Sequence, residues 1–515
     1  LLLLTLGVRS YKYLVHSTRF AKSHVNFLAR LADTLVDAGH DVVVLSPVFN
    51  SRIEDAMTKK ARVIEVPQCD LAAAFENKFE TENPQSVWTM KHPAQMFMER
   101  RAAFAAWSHQ CNSEISHPGL MDLLRAEKFD AAITETFDFC APAVFYLLGI
   151  DKWAITESVA IRDGGFYYSQ TPGNPAYVPS MMAGRGEAMN FFGRLSNSIS
   201  FALMDFFIDL FLPTIETIIR EQVPDLPPLK DLLANNSLVF FNSEPLVDFP
   251  KITSARIIDI GGIAVSSGHS PLNQTWSDIL NLRPKTILLS FGTIAKSFAM
   301  PDEYKNTIRE TFRKFPDVTF IWKYEKPEHH ISEGIENIVD TTWVPQRDML
   351  HDPRLTAFIT HCGQGSTTEA IDAGIPLIVI PVMGDQGRNA FQVERNGIGI
   401  RLEKSDLANV GKLEEAIRQI LENESYRKNA EKTKQMIADR PFPMKEIFVK
   451  NMAFLAKHGP LRQLDHYGRH LTFIQYYLID VIGFIVTVLI VIIALSILSV
   501  RSLLRTLSAG KSKAE

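Results

Sequence analysis

From Leu355 to Pro381 the chain reads LTAFITHCGQGSTTEAIDAGIPLIVIP, an order of residues that few folds accommodate. Leu355 to Thr360 is a short apolar run with β-branched residues, which predicts a buried strand of a parallel sheet. His361-Cys362-Gly363-Gln364-Gly365-Ser366 follows at once, and a helical pattern then starts at Thr367 and closes at Gly374. Leu377 to Pro381 predicts the next strand, which ends in the polar loop Gly384-Asp385-Gln386. A strand, a glycine-rich turn and a helix N-terminus together form an anion site, because free backbone N–H groups and the helix dipole converge there. Ligands of open α/β sheets bind at the carboxyl ends of strands, so both loops are expected to face one crevice. The expectation is a nucleotide or sugar-phosphate site.

The same alternation recurs along the chain. Tyr11–His16 and Val42–Ser46 read as strands, and between them Phe27, Leu28, Leu31 and Leu35 fall at helical spacing over Val25–Ala38, with Gly39 as the stop. His24 lies where the loop after the first strand enters that helix. The helix dipole is expected to lower its pKa, leaving the neutral imidazole that a general base requires; a capping or surface histidine is the plainer alternative. Phe129–Thr136 is a further strand with Asp130, Glu135 and Asp138 at or near its ends, and Glu135 sits at the carboxyl end as His24 does. Residues 162–215, with the apolar helix Phe201–Leu212, suit a pocket lining, a membrane contact or plain core packing. Leu238–Asn242, Thr286–Ser290 and Thr319–Lys323 are strands, while Asp302–Phe315, Leu413–Leu421 and Met444–His458 are helices. With 515 residues the chain exceeds one ordinary core. The Pro- and Gly-containing stretch 251–283 reads as the linker between two α/β domains.

The 54 basic and 58 acidic residues give a net charge of -4, which excludes nucleic acid as the partner. Cys69, Cys111, Cys140 and Cys362 show neither a CxxC pair nor metal-ligand spacing, so no metal site and no disulfide framework is expected; one disulfide fits an oxidising compartment. Val481 to Val500 is an uncharged apolar run of about 20 residues, enough to cross a bilayer. Arg501, Arg505, Lys511 and Lys513 follow, which puts a tail of residues 501–515 in the cytosol. Everything before the span is then lumenal. Leu1–Leu6 reads as the end of a signal peptide, and sequons at Asn235, Asn273 and Asn423 suit a secretory route. Lys511-Ser512-Lys513-Ala514-Glu515 resembles a dilysine signal for return to the endoplasmic reticulum, so a single-pass type I protein of that membrane is expected.

Residues Trp343 to Asn389 carry a longer pattern: Trp343-x-x-Gln346, then Thr360-His361-x-Gly363 with Glu369 in the following helix, then Pro381-x-x-x-Asp385-Gln386. It resembles the signature of the UDP-glycosyltransferase family, which includes the animal UDP-glucuronosyltransferases. Weaker matches are Ser290-Phe291-Gly292-Thr293 with Met300-Pro301, Gly261-Gly262, Asp439-Arg440-Pro441 and the approach to the span at Tyr476–Phe484. The resemblance implies the GT-B fold, two Rossmann-like domains facing across a cleft. The division it implies is an acceptor domain over 7–250, the linker, a UDP-sugar domain over 284–458, a juxtamembrane segment over 459–480 and the span. Trp343 would stack on uracil, Gln346 would bond the uridine and Glu369 the ribose. His361, the backbone near Gly363, Gly365 and Ser366, and the side chains of Ser290 and Thr293 would hold the diphosphate. Asp385 and Gln386 would bind sugar hydroxyls. His24 would be the base, with Glu135 orienting it.

The implied reaction is inverting transfer of a glucuronosyl or glucosyl group from UDP-glucuronate or UDP-glucose to a hydroxyl of a small lipophilic acceptor. It would need neither metal nor cofactor, and a homo-oligomer is compatible with it. This chain departs from the family at three points. The carboxylate beside the base is usually Asp, whereas here Glu135 aligns, with Asp138 as the other candidate. Gly365 replaces an Asn found in many relatives. Asn242 stands where glucuronate users tend to carry Arg, which brings uncharged sugars such as glucose into consideration. Two other readings compete. A catalytically silent UDP-sugar or lipophile binder would keep the fold, and a dinucleotide oxidoreductase would use Gly363-x-Gly365, although Thr368 occupies its third glycine position.

Overall fold

The computed structural model describes residues 10–78, 85–89, 93–160, 163, 166–182, 184–265 and 268–511. The leader-like Leu1–Leu6 and the tail residues 512–515 lie outside them. The chain divides into two compact units, Leu1–Leu464 and Asp465–Glu515.

The first unit contains two all-parallel sheets. In the first sheet the strands are β1 (Lys12–His16), β2 (Asp41–Pro47), β3 (Arg62–Val66), β4 (Ala131–Glu135), β5 (Trp153–Glu157), β6 (Leu238–Phe241) and β7 (Ile257–Asp259), in the order β3-β2-β1-β4-β5-β6-β7. The second sheet is formed by β8 (Lys285–Ser290), β9 (Val318–Lys323), β10 (Ile338–Thr341), β11 (Leu355–Thr360), β12 (Leu377–Val379) and β13 (Gly399–Arg401), in the order β10-β9-β8-β11-β12-β13. The expected strands are all present, and the doubly wound order fits the expected fold class. In each sheet the chain runs outward on one side and then returns to start the other. The switch points therefore lie between β1 and β4 and between β8 and β11.

Side-chain alternation fills a core on both faces of each sheet. Leu14, Ala132, Ile155 and Val239 point into one layer of helices, while Tyr13, Val15, Ile133 and Phe240 point into the other. The helix Lys22–Asp37 buries Phe27, Leu28, Leu31 and Leu35 against the first sheet, and Gly39, at φ +86°, turns the chain where a side chain would be strained.

Packing redraws three expected boundaries. The linker 251–283 contains β7, the edge strand of the first sheet, and a helix, Gln274–Leu280. The helix Met444–His458, placed by chain order in the second domain, packs on the first sheet instead. Its Phe448, Met452 and Leu455 enter the core that holds Phe240, with the Phe448 and Phe240 rings 5.1 Å apart. Sequence shows that this helix buries one face but not which sheet receives it. The apolar helix expected over Phe201–Leu212 is the middle of a longer one, Phe191–Arg220, capped by the Asn190 side chain. Leu195, Ile199, Leu203, Phe206 and Leu210 form an exposed apolar row along it. Cys111 and Cys140 are joined in a disulfide.

In the second unit one long helix, Ile479–Lys511, extends the expected span at both ends. Among the described residues, two helices are long and apolar enough to cross a membrane, Phe191–Arg220 and Ile479–Thr506.

Candidate active site

Each half of the site hangs from a switch point. In the first sheet, His24 follows β1 in the first turn of its helix, and Glu135 ends β4. Glu135 Oε1 lies 2.8 Å from His24 Nδ1, so the longer carboxylate does reach. With Nδ1–H donating to Glu135, the tautomer leaves Nε2 as the proton acceptor. Asp138 is committed elsewhere. It lies 2.8 Å from His16 Nδ1 and accepts hydrogen bonds from Thr18 Oγ1 and the Cys140 N–H, while His16 Nε2 contacts Glu114 at 2.7 Å. This network is fully buried, and its two carboxylates raise the His16 pKa to about 10 against the burial that opposes the cation.

The His24 pKa moves opposite to the direction that the helix dipole alone implies. Burial is the largest influence and does disfavour the imidazolium, but Glu135 beside it and the charges of Asp385 and Glu157 outweigh burial, so its pKa is raised. A fixed anion in hydrogen-bond contact exceeds the partial charge of a helix end.

Ser158, just past β5, escaped the sequence reading. Its N–H donates to Glu135 Oε1 at 3.0 Å, and its Oγ lies 2.8 Å from His24 Nδ1. A lone serine after a strand gives no signal of this. Ser158→Ala is expected to lower turnover several-fold while UDP affinity stays unchanged, as read by steady-state kinetics beside a UDP titration. An aromatic wall adjoins His24: Phe20 and Phe137 lie 4.6 and 5.0 Å from its ring, and Phe20 continues to Trp107 at 5.0 Å. These rings come from separate stretches that no local periodicity links.

The second sheet supplies the other half. The helix Gln364–Ala373 starts three residues earlier than the sequence pattern indicates, with Gly363 as N-cap, so the first-turn N–H groups belong to Gln364, Gly365 and Ser366. A Cβ on Gly365 would meet nothing within 4 Å, which leaves open space over the helix N-terminus. The His361 ring is sandwiched between Gly292 and Gly363, where an added Cβ would come within 2.7 and 2.6 Å of it. Burial and the nearby Lys323 push the His361 pKa down to about 4, so it is a neutral hydrogen-bonding group. Lys323, another residue without a sequence signal, donates to the Gly292 carbonyl at 2.5 Å. Ser290 Oγ accepts from the Gly292 N–H at 3.3 Å, and Thr293, the next residue, is half-buried.

Trp343 is 58% exposed, with Lys22 Nζ 4.9 Å from its ring centroid. Gln346 donates to Glu369 Oε2 at 2.7 Å, which brings these two residues together, and burial raises the Glu369 pKa. Asp385 accepts from Asn389 at 2.8 Å. Gln386 accepts through its amide oxygen from the Val382 and Met383 N–H groups, at 2.8 and 2.9 Å. Asp385, in the loop after β12, lies near enough to His24 for its charge to help raise the histidine pKa. Among the described residues no group of three or more His, Cys, Asp or Glu is arranged to hold a metal ion.

The sequence model for UDP-glucoronosyl and UDP-glucosyl transferase matches residues 12–514. The chain belongs to this family. Among relatives of this UDP-glycosyltransferase, ugt-47 of Caenorhabditis briggsae, named as a candidate UDP-glucuronosyltransferase, is 28% identical over 497 residues, spanning 94% of this chain and 91% of the relative. UDP-glucuronosyltransferase 1A8 of Rattus norvegicus is 26% identical over 482 residues, covering 92% and 88%. The fold is shared with the calicheamicin glycosyltransferase CalG4, at a TM-score of 0.55 and 14% identity over 88% of this chain and all of that one. The glycosyltransferase VinC, solved in complex with DTDP, gives 0.55 and 16% over 87% of this chain and all of VinC. The chain is thus a glycosyltransferase of GT-B architecture.

Proposed function

We propose that this enzyme moves a glucosyl or glucuronosyl group from its UDP-sugar to a hydroxyl of a small lipophilic acceptor, with inversion and with His24 as general base. The observation that carries the reading is the Glu135–His24 contact, with the charge of Asp385 also felt by that histidine. The acceptor oxygen attacks the anomeric carbon as its proton passes to His24 Nε2. The bond from that carbon to the phosphate oxygen breaks, and UDP leaves with the electron pair. Attack from the opposite face turns an α-linked donor into a β-glycoside. The first-turn N–H groups of the helix Gln364–Ala373 are fixed dipoles suited to the charge that develops on UDP. Trp343 offers an exposed indole face to uracil, and the Gln346–Glu369 pair suits a uridine edge and ribose hydroxyls. The rings beside His24 support a lipophilic acceptor.

We further infer residence in the endoplasmic reticulum membrane with both sheets lumenal. The apolar helix Ile479–Thr506, the arginines that follow its core and the Cys111–Cys140 disulfide support this.

The test is to incubate the full-length protein in detergent with labelled UDP-glucose or UDP-glucuronate and a panel of phenols. Glycoside formation that persists in chelator is expected. Failure to bind UDP would overturn the reading, and UDP binding without transfer to any acceptor would favour the silent binder.

A further inference from the structure

Residues 85–89 lie in the N-terminal half of the sequence, between the helices Asp70–Asn77 and Pro93–Ile115. They nonetheless pack in the second domain. Trp88, 2% exposed, belongs to the core built by Ile287 and Leu289 of β8, Phe320 and Trp322 of β9, and Phe312. Its ring meets Phe291 edge-on at 5.0 Å, and its indole N–H donates to the Lys296 carbonyl at 2.9 Å. The turn that carries Trp88 is closed by the Trp88 and Thr89 N–H groups, both donating to the Gln85 carbonyl. Lys404 Nζ holds the Val87 carbonyl at 3.2 Å.

What Trp88 touches gives it a role beyond filling space. Phe291 precedes Gly292, the residue pressed against the His361 ring, whose carbonyl binds Lys323. Lys296 closes the same loop after Thr293. The indole thus holds the turn 290–296 at two points, one apolar and one polar. An indole with its N–H satisfied is a rigid anchor for such a loop.

We propose that Trp88 is a positioning residue for the donor: planted in the donor domain by the N-terminal half of the chain, it holds the Ser290–Thr293 turn against His361 and so sets affinity for the UDP-sugar. The inference rests on assigning that turn and the helix Gln364–Ala373 to the diphosphate.

The experiment uses full-length protein in detergent, with UDP titrated by calorimetry and donor and acceptor KM measured separately. Trp88→Ala is expected to weaken UDP binding and raise donor KM by about tenfold, the loss expected when about 1.4 kcal/mol of loop ordering goes. Acceptor KM and the acid limb of the pH profile stay unchanged. Trp88→Phe keeps a ring against Phe291 and is expected to recover most of the affinity. Trp88→Leu fills the core without the N–H and decides the matter if the alanine variant does not fold. A lower unfolding midpoint with unaltered UDP affinity and donor KM in Trp88→Leu marks a merely structural residue and overturns this inference alone. If the wild type does not bind UDP, the donor-site assignment falls and this inference falls with it.

Discussion

His24→Ala is expected to lower kcat by about 10²- to 10⁴-fold, the range that a positioned general base contributes, while UDP affinity stays that of the wild type. The separation follows from the architecture, since His24 hangs from β1 and the residues proposed to hold the diphosphate hang from β8 and β11. The pH profile adds a signed expectation. In the proposed mechanism the base acts as the neutral imidazole, so activity is expected to rise with pH as His24 loses its proton. Its pKa is raised above 6.5, so the acid limb is displaced upward from that of an ordinary histidine. Glu135→Gln keeps a hydrogen-bond acceptor but removes the main charge that favours the cation, and the acid limb then moves to lower pH while turnover drops. Steady-state rates across pH for wild type and both variants check this; an unmoved limb in Glu135→Gln would remove Glu135 as the orienting partner.

Arg388→Met is expected to give the largest loss of stability, about 3–5 kcal/mol, as for other buried ion pairs that lose one partner. Arg388 Nη2 lies 2.7 Å from Asp248 Oδ1, with side-chain exposures of 1% and 3%, and Arg388 Nε donates to the Pro179 carbonyl at 3.1 Å. Asp248 also accepts from Ser243 and Lys251. Burial pushes its pKa up, but Arg388 and Lys251 outweigh that and hold it down at about 2. A depressed pKa contributes stability that is complete above the usual carboxylate pKa of 3.8 and lost as pH falls through about 2. In Arg388→Met this contribution shrinks, so the variant's unfolding midpoint falls most, relative to wild type, at neutral pH, and the gap narrows in acid. Thermal unfolding at several pH values reads both effects. Arg388 also sits in the helix that opens just after Asp385, so donor KM is expected to rise with it.

Much of this was legible in the residues, for identifiable reasons. The central strands β1, β2, β8 and β11 are continuous apolar runs ended by glycine or polar turns, because they are buried on both faces. The edge strands are not: β3 (RVIEV) and β13 (GIR) are short and partly polar, and no periodicity separates them from loop. The donor-side residues cluster in one stretch and could be named in advance. On the acceptor side His24 and Glu135 were visible, but the choice between Glu135 and Asp138 was not. Three positions apart, they are told apart by His16, distant in sequence, which pairs with Asp138 through Nδ1 and with Glu114 through Nε2. Ser158, Lys323 and Trp88 act through contacts made only in the folded chain, so composition and spacing carry no trace of them.

The packing of Met444–His458 on the first sheet sets the order in which the protein can mature. Residues of the first sheet leave the ribosome early, yet the apolar face that receives Phe448, Met452 and Leu455 stays uncovered until the whole second domain has followed. At about 5–20 residues per second, that interval lasts roughly ten to forty seconds. During it Phe240 and its neighbours are open to chaperones and to other nascent chains. The half built on the first sheet is therefore synthesised first and completed last, and a chain stopped before Met444 would lack the helix that finishes that sheet's core.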